Sequence, residues 1–273
     1  MILVTGATGM LGRLVVDRLL DRVAATDVAV VVRDPDAAVE LAARGVDVRR
    51  GDYDDPDGLR AAFAGVATVL FISAPVTDSG RLEHHRNVVR AAAAAEVGRI
   101  AYTSGLGADF VDEGVLGEHH QTEEWIAESG LPAVILRHPI YSELYINPGL
   151  QAAIDPGELT SATGGRGLNT ATRADLAEAA AAAVTASDAS ATYNFTGPVW
   201  TYPELAKVLG EVSGRPVAYR EVEAEEGFLG ALAEVIRSGG FEIQTGDLER
   251  VLGRPPMTLR ETVLAALPAL QRP

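Results

Sequence analysis

The residues in this chain most capable of chemistry lie at its start, in Thr5-Gly6-Ala7-Thr8-Gly9-Met10-Leu11-Gly12. Each glycine has a mechanical use there. Gly6 permits a tight reversal, Gly9 lets backbone approach a pyrophosphate, and Gly12 lets a helix pack close to a sheet. Phosphates would then sit on the unpaired N–H groups at the helix start. The same spacing also occurs in tight turns that bind nothing, so context decides. Residues 2–4 are an apolar run, and Met10, Leu11, Leu14, Val15, Leu19 and Leu20 recur at helical spacing. The turn therefore joins a strand to a helix in a βαβ-sized unit, which points to a dinucleotide.

The next informative position lies about twenty residues further on, where such a unit presents an acid to a ribose hydroxyl or a base to a 2′-phosphate. The strand at 28–32 ends in Arg33, whose guanidinium gives charge-assisted donors to phosphate oxygens. This favours NADP over NAD, with Asp34 as the competing ribose partner. Asp52, after Gly51, can accept from an adenine amino group or simply form a turn. Ser73, Ser104 and His138 stand at the ends of three later strand-like segments. Each has a bland reading as well, as a turn serine or a satisfied edge histidine. His119 falls near the start of a helical segment, where it can donate to a ribose or substrate oxygen or face solvent. Tyr141 and Tyr145, four apart, suit either a flat ring or a core-facing turn. A metal is not expected: His84-His85 and His119-His120 are sequence neighbours, and on helices neighbours diverge by about 100°.

The elements that must position these residues alternate. Strand-like runs at 2–4, 28–32, 46–49, 68–72, 99–103 and 133–136 are separated by helical patterns, the rhythm of an α/β, doubly wound, parallel-sheet Rossmann fold. Asp55-Pro56 reads as an N-cap with proline at the first helical position. Ligands of such sheets bind outside the carboxyl ends of the strands. The pattern divides the chain into a Rossmann domain over 1–145, completed by a strand at 193–196, and a smaller, mostly helical lobe over 146–273. In that lobe, Thr172 and Asp175 are spaced to cap a helix reciprocally. Segments 202–213, 217–222, 224–238 and 259–267 form the rest.

Composition excludes several classes. The formal charge of −15 over 273 residues repels nucleic-acid backbones and anionic membrane surfaces. No cysteine is present, which removes disulfides, thiolate metal sites and cysteine nucleophiles. The N-terminus has no basic region followed by an apolar stretch, and the expectation is a cytoplasmic protein. The alanine runs at 91–95 and 179–183 are too short to span a bilayer.

The glycine motif, Arg33, Gly51-Asp52-Tyr53, Tyr102-Thr103-Ser104, Thr122-Glu123, Tyr141-Ser142-Glu143 and Ala171-Thr172-Arg173-Ala174-Asp175 occur in order along the chain. This set resembles the NmrA-like group of atypical short-chain dehydrogenases, and within it the bacterial NAD(P)H:quinone oxidoreductases. The resemblance implies an NADPH-binding Rossmann domain, a small C-terminal lobe, and two-electron reduction of quinones without flavin or metal. It implies that Gly6, Thr8, Gly9, Met10, Leu11, Arg33, Ser73 and the Tyr141 region line the cofactor cleft. The chain departs from ketone-reducing relatives at their tyrosine and lysine pair, since His119 stands at the lysine position and Val115 four residues before it. A quinone is already activated and yields a delocalised anion, so ring positioning suffices without that pair. His119 and Tyr141 are the catalytic candidates. Gly6, Thr8, Gly9, Met10, Leu11, Arg33, Asp52, Ser73, Ser104 and His138 are the cofactor-binding candidates. The expected partner is a small quinone-like molecule, and the expected state a monomer or homodimer. The alternative is a non-enzymatic NADP(H) sensor acting through a protein partner.

Overall fold

The computed structural model describes residues 1–75, 79–187, 190–224 and 226–267. The strands are β1 (Ile2–Val4), β2 (Val28–Val32), β3 (Asp47–Arg50), β4 (Thr68–Phe71), β5 (Arg99–Gly105), β6 (Ala133–His138), β7 (Ile140–Tyr141), β8 (Glu158–Ser161), β9 (Leu168–Ala171), β10 (Ala191–Asn194), β11 (Val199–Trp200) and β12 (Ala218–Glu221). The helices are α1 (Met10–Leu20), α2 (Val39–Ala43), α3 (Pro56–Ala62), α4 (Arg81–Ala94), α5 (Gly114–Glu128), α6 (Gln151–Ile154), α7 (Arg173–Thr185), α8 (Tyr202–Ser213), α9 (Phe228–Arg237), α10 (Asp247–Leu252) and α11 (Leu259–Ala266).

Two compact units are present. One holds Met1–His138 and Leu176–Phe195, the other Pro139–Asp175 and Thr196–Pro273. The first unit is built on a seven-stranded sheet in the order β10-β6-β5-β4-β1-β2-β3. All its pairings are parallel, with Ile2 opposite both Val28 and Thr68. Strands buried on both faces read as unbroken apolar runs, and all five residues of β2 are buried. Alternate residues Leu3, Val69, Phe71, Ile100 and Tyr102 pack on one face with Leu59 and Phe63 near α3, Val88 and Ala92 of α4, and Ile126 of α5. The chain turns back between β1 and β4, so the topological switch point lies at their carboxyl ends. Segment 133–136 was expected as a strand; it runs on to His138, and the strand expected at 193–196 occupies 191–194. The unit also takes most of α7 along with that strand.

The second unit has its own core around Ile146, Ile154, Leu168, Trp200, Leu205, Leu209 and Val263. Besides helices it carries two small sheets, β11-β9-β7 and β12-β8. Segment 217–222, expected within a mostly helical lobe, contains β12 instead, paired in parallel with β8 from Ala218↔Glu158 to Glu221↔Ser161. Its residues are half-buried or exposed, so no apolar period identified it in the sequence. The expected helix over 224–238 begins at Phe228, and its Glu225 lies outside the described residues. The Thr172/Asp175 pair forms only half of a reciprocal cap. Asp175 N donates to Thr172 Oγ1 at 3.1 Å, while the Asp175 carboxylate accepts from Arg254 at 2.9 Å and from Met257 N at 2.8 Å.

Candidate functional site

The glycine turn follows β1 as the sequence requires. Gly6 has φ +60°, and Gly9 N donates to Gly6 O at 3.0 Å, closing the reversal. Gly9 is extended and caps α1 without any side-chain hydrogen bond, so the first amides of α1 are left to an outside acceptor. An added Cβ on Gly12 would run into the Gly6 carbonyl oxygen and lie 2.8 Å from Ala7 Cα. Loop and helix therefore touch backbone to backbone, leaving a cradle that suits a pyrophosphate. Met10 is 73% exposed, whereas the Leu11 side chain is buried, so what Leu11 can offer a ligand is its N–H. Thr8 is half-buried, and its carbonyl accepts from Arg13 Nε at 2.9 Å.

Arg33 is exposed just beyond β2. The neighbouring Asp34 spends an oxygen on Asp36 N at 3.1 Å, capping the following 3-10 turn. Asp52 Oδ1 accepts from Asp54 N at 3.2 Å, the turn geometry that competes with an adenine contact.

At the end of β4 three consecutive amides are each accepted by a side chain from a different element. Ile72 N donates to Thr5 Oγ1 beyond β1, Ser73 N to Thr103 Oγ1 of β5, and Ala74 N to His85 Nε2 of α4, all at 3.0 Å. Arg81 Nε donates to Ala74 O at 2.9 Å. Arg81, only 2% exposed, also pairs with Glu118 and donates from Nη2 to His119 Nε2 at 3.0 Å.

These donors fix the imidazole tautomers. An N–H or guanidinium pointing at Nε2 leaves the proton on Nδ1. His119 Nδ1–H then donates to Tyr102 Oη at 2.7 Å, and His85 Nδ1–H to Thr122 Oγ1 at 2.8 Å, whose own proton goes to Glu118 O at 2.8 Å. Burial, reinforced by the Arg81 charge, pushes the His85 pKa down to about 2 and that of His119 to about 3, so both rings are neutral. Burial raises the Tyr102 hydroxyl. Gly105 makes room for His119, since a Cβ there would lie 3.1 Å from the ring.

A second, half-buried network lies at the ends of β5 and β6. Ser104 Oγ donates to Glu123 Oε1 at 2.5 Å, and Arg137 grips the same carboxylate through Nε at 3.0 Å and Nη2 at 2.7 Å. Arg137 also pairs with Asp109 at 2.6 Å. The Ser104 proton is thus committed inside the protein. His138 is buried against Phe195 at 5.8 Å between ring centres, and burial pushes its pKa down to about 3.

In the second unit Arg173 lies over the Tyr141 ring, 4.5 Å from its centre, and pairs with Glu143 at 3.3 Å. Burial raises the Tyr141 hydroxyl to about 12, against the opposing pull of Arg173. Tyr145 packs edge-on to Trp200 rather than continuing a helix with Tyr141. Ser142, Thr170, Trp200 and Met257 line a cavity of about 10 Å³, room for one water and not for a ring.

Within the first unit the structure brings His119 and Ser73 to one network through Tyr102, His85 and Ala74, and places Ser104 in the neighbouring one. Gly6, Gly9 and Gly12 form the cradle. Sequence reasoning missed Arg81 and His85, although they lie four apart on the same buried face of α4 as Val88, Val89 and Ala92. A charged residue and a histidine on an apolar stripe were the available signal. Among the described residues no group of three His, Cys, Asp or Glu could hold a metal, and no helix is long and apolar enough to cross a membrane.

A parallel sheet in this strand order, with a glycine cradle at the switch point, defines a Rossmann-type dinucleotide-binding protein. The chain belongs to the NAD(P)H-binding family, which it matches over residues 6–187. It is 37% identical to quinone oxidoreductase 2 of Escherichia coli over 96% of this chain and 97% of that protein. It is 30% identical to an NmrA-like family domain-containing oxidoreductase of Aspergillus flavus, over 96% of this chain and 93% of the other. Among solved structures it is similar to Citrobacter sp. triphenylmethane reductase complexed with NADP(H), with a TM-score of 0.93 and 37% identity over 98% of this chain and 100% of that one.

Proposed function

We propose that this protein is an NADPH-dependent oxidoreductase that reduces a quinone or a similar flat electrophile. The glycine cradle at the β1–β4 switch point carries the reading, because loop and helix meet backbone to backbone there and the start of α1 has no side-chain cap. Bound NADPH supplies the hydride. The chain's own residues bind and orient. The α1 amides hold phosphate oxygens, and Arg33 meets the 2′-phosphate. The β4 exit walls the crevice. His119 serves as a holding group in place of an acid, since both its ring nitrogens are engaged internally. The sequence contains one lysine, Lys207, with Pro203 four residues before it, so no tyrosine and lysine pair is available to protonate an alkoxide. A quinone does not need one, because its reduced anion is delocalised and takes its proton from water. The related proteins are a quinone oxidoreductase and a reductase of triphenylmethane dyes, and both kinds of acceptor are conjugated electrophiles.

Mixing the protein with NADPH and a panel of quinones, without flavin, should oxidise the nucleotide well above the protein-free rate. NADPH binding without turnover on any of them would move the reading to an NADP(H) sensor. Replacing Arg33 by Asp should weaken NADPH by roughly ten- to a hundredfold, the range for losing a charge-assisted contact, and leave NADH within a few-fold. Titrating both nucleotides checks this, and an unchanged NADPH preference assigns the 2′-phosphate to another group.

A further inference from the structure

We infer that His85 is a positioning residue for the nicotinamide half of the dinucleotide, acting through the Ala74 peptide. The inference rests on the dinucleotide reading of the glycine cradle. The pyrophosphate belongs at the start of α1, and Arg33 draws the adenosine half toward the end of β2. The other half must then lie on the opposite side of β1, where β4 ends. Its wall is the turn Ile72-Ser73-Ala74-Pro75.

That turn is immobilised by side chains. Thr5 and Thr103 take the amides of Ile72 and Ser73, and each merely extends a strand pairing through a hydroxyl. Ala74 is different, because both its peptide groups are held from α4. His85 Nε2 takes the N–H, and Arg81 Nε serves the carbonyl. His85 is in turn held by Thr122, and its ring packs edge-on against Phe71 with centres 5.0 Å apart. Arg81 is held by Glu118 and His119, and His119 by Tyr102. A set of polar side chains, buried except for the half-buried Glu118, therefore converges on Ala74 at the switch point. The core does not need such a set for burial, because apolar residues would fill the same volume without desolvating a guanidinium. What it secures is the position of that peptide.

The experiment measures two ligands on the full chain, NADPH and 2′-phospho-ADP-ribose, which lacks the nicotinamide. In His85→Leu, NADPH should bind about tenfold more weakly, the effect of leaving a buried amide without its acceptor, while 2′-phospho-ADP-ribose stays within about twofold. His85→Gln offers an amide oxygen to Ala74 N and should restore NADPH to within about threefold. Hydrogen exchange at the Ala74 amide should be slow in the wild type and in His85→Gln, and fast in His85→Leu. If His85→Leu does not fold, Thr122→Val, which leaves the imidazole in place but unheld, should show the same selective loss of NADPH. Equal weakening of both ligands, or no weakening in a folded variant, overturns the inference. So does a glutamine variant as impaired as the leucine one. None of these readouts uses a quinone, so failure of quinone reduction and failure of this inference are separable.

Discussion

Gly12→Ala should abolish measurable NADPH binding and lower the unfolding free energy by about 2–3 kcal/mol, within the range for overpacking a well-filled site. The added methyl has nowhere to go. Its nearest neighbours are the Gly6 carbonyl and the Ala7 Cα, both backbone, so no side chain can rotate to make room. Either α1 backs away from the turn or the turn flattens. The first pulls the α1 amides off the phosphate position, and the second disturbs Gly6 at φ +60° and its hydrogen bond to Gly9 N. Gly9→Ala is the control. A Cβ there lies 3.2 Å from the Gly6 oxygen, a contact that a few tenths of an ångström relieves, so its stability loss should be smaller while ligand approach still suffers. Urea unfolding and nucleotide titration of both variants check this. A Gly12→Ala protein that binds NADPH normally would place the pyrophosphate elsewhere.

The unliganded protein should lose about 6 kcal/mol of stability between pH 7 and pH 5. Three histidines of the first unit are buried and neutral, with folded pKa values near 2 for His85 and near 3 for His119 and His138, against 6.5 ordinarily. Their depressed values set the sign. Below pH 6.5 the unfolded chain takes up protons that the native rings refuse, so stability present above 6.5 is lost as pH falls toward the folded values. Each histidine contributes a loss of about 2 kcal/mol over that interval, and a typical domain has only about 5–15 kcal/mol in total. Denaturant titrations at several pH values should show a slope approaching three protons, and His85→Gln should reduce it by one. A stability flat from pH 7 to 5 would mean that the folded rings take up protons as readily as the unfolded ones.

The Rossmann sheet was legible because its signals are local. The apolar strands, the glycine turn and the helical spacing after it each lie within a dozen residues, and both-face burial makes β2 read as an unbroken valine-rich run. The second unit was less legible. Strand β12 is half-buried or exposed and pairs with β8 some sixty residues earlier, so neither period nor propensity marks it. The network at the β4 exit was the least legible part. His119 was visible as a candidate, but its neighbours Arg81, Tyr102 and His85 come from α4 and β5, and nothing in their spacing to His119 shows that they meet.

The dinucleotide cradle at the start of the chain and the basic side chain after the second strand could be read from residue order alone, because both depend on residue type at short spacing. What the histidines and serines do depended on the fold. Ser104 became a donor to Glu123, and His119 a neutral link between Arg81 and Tyr102. The physical reason is that the state of a polar side chain is set by burial and by the partner that reaches it. Both are properties of strand order and helix packing, which no local pattern encodes.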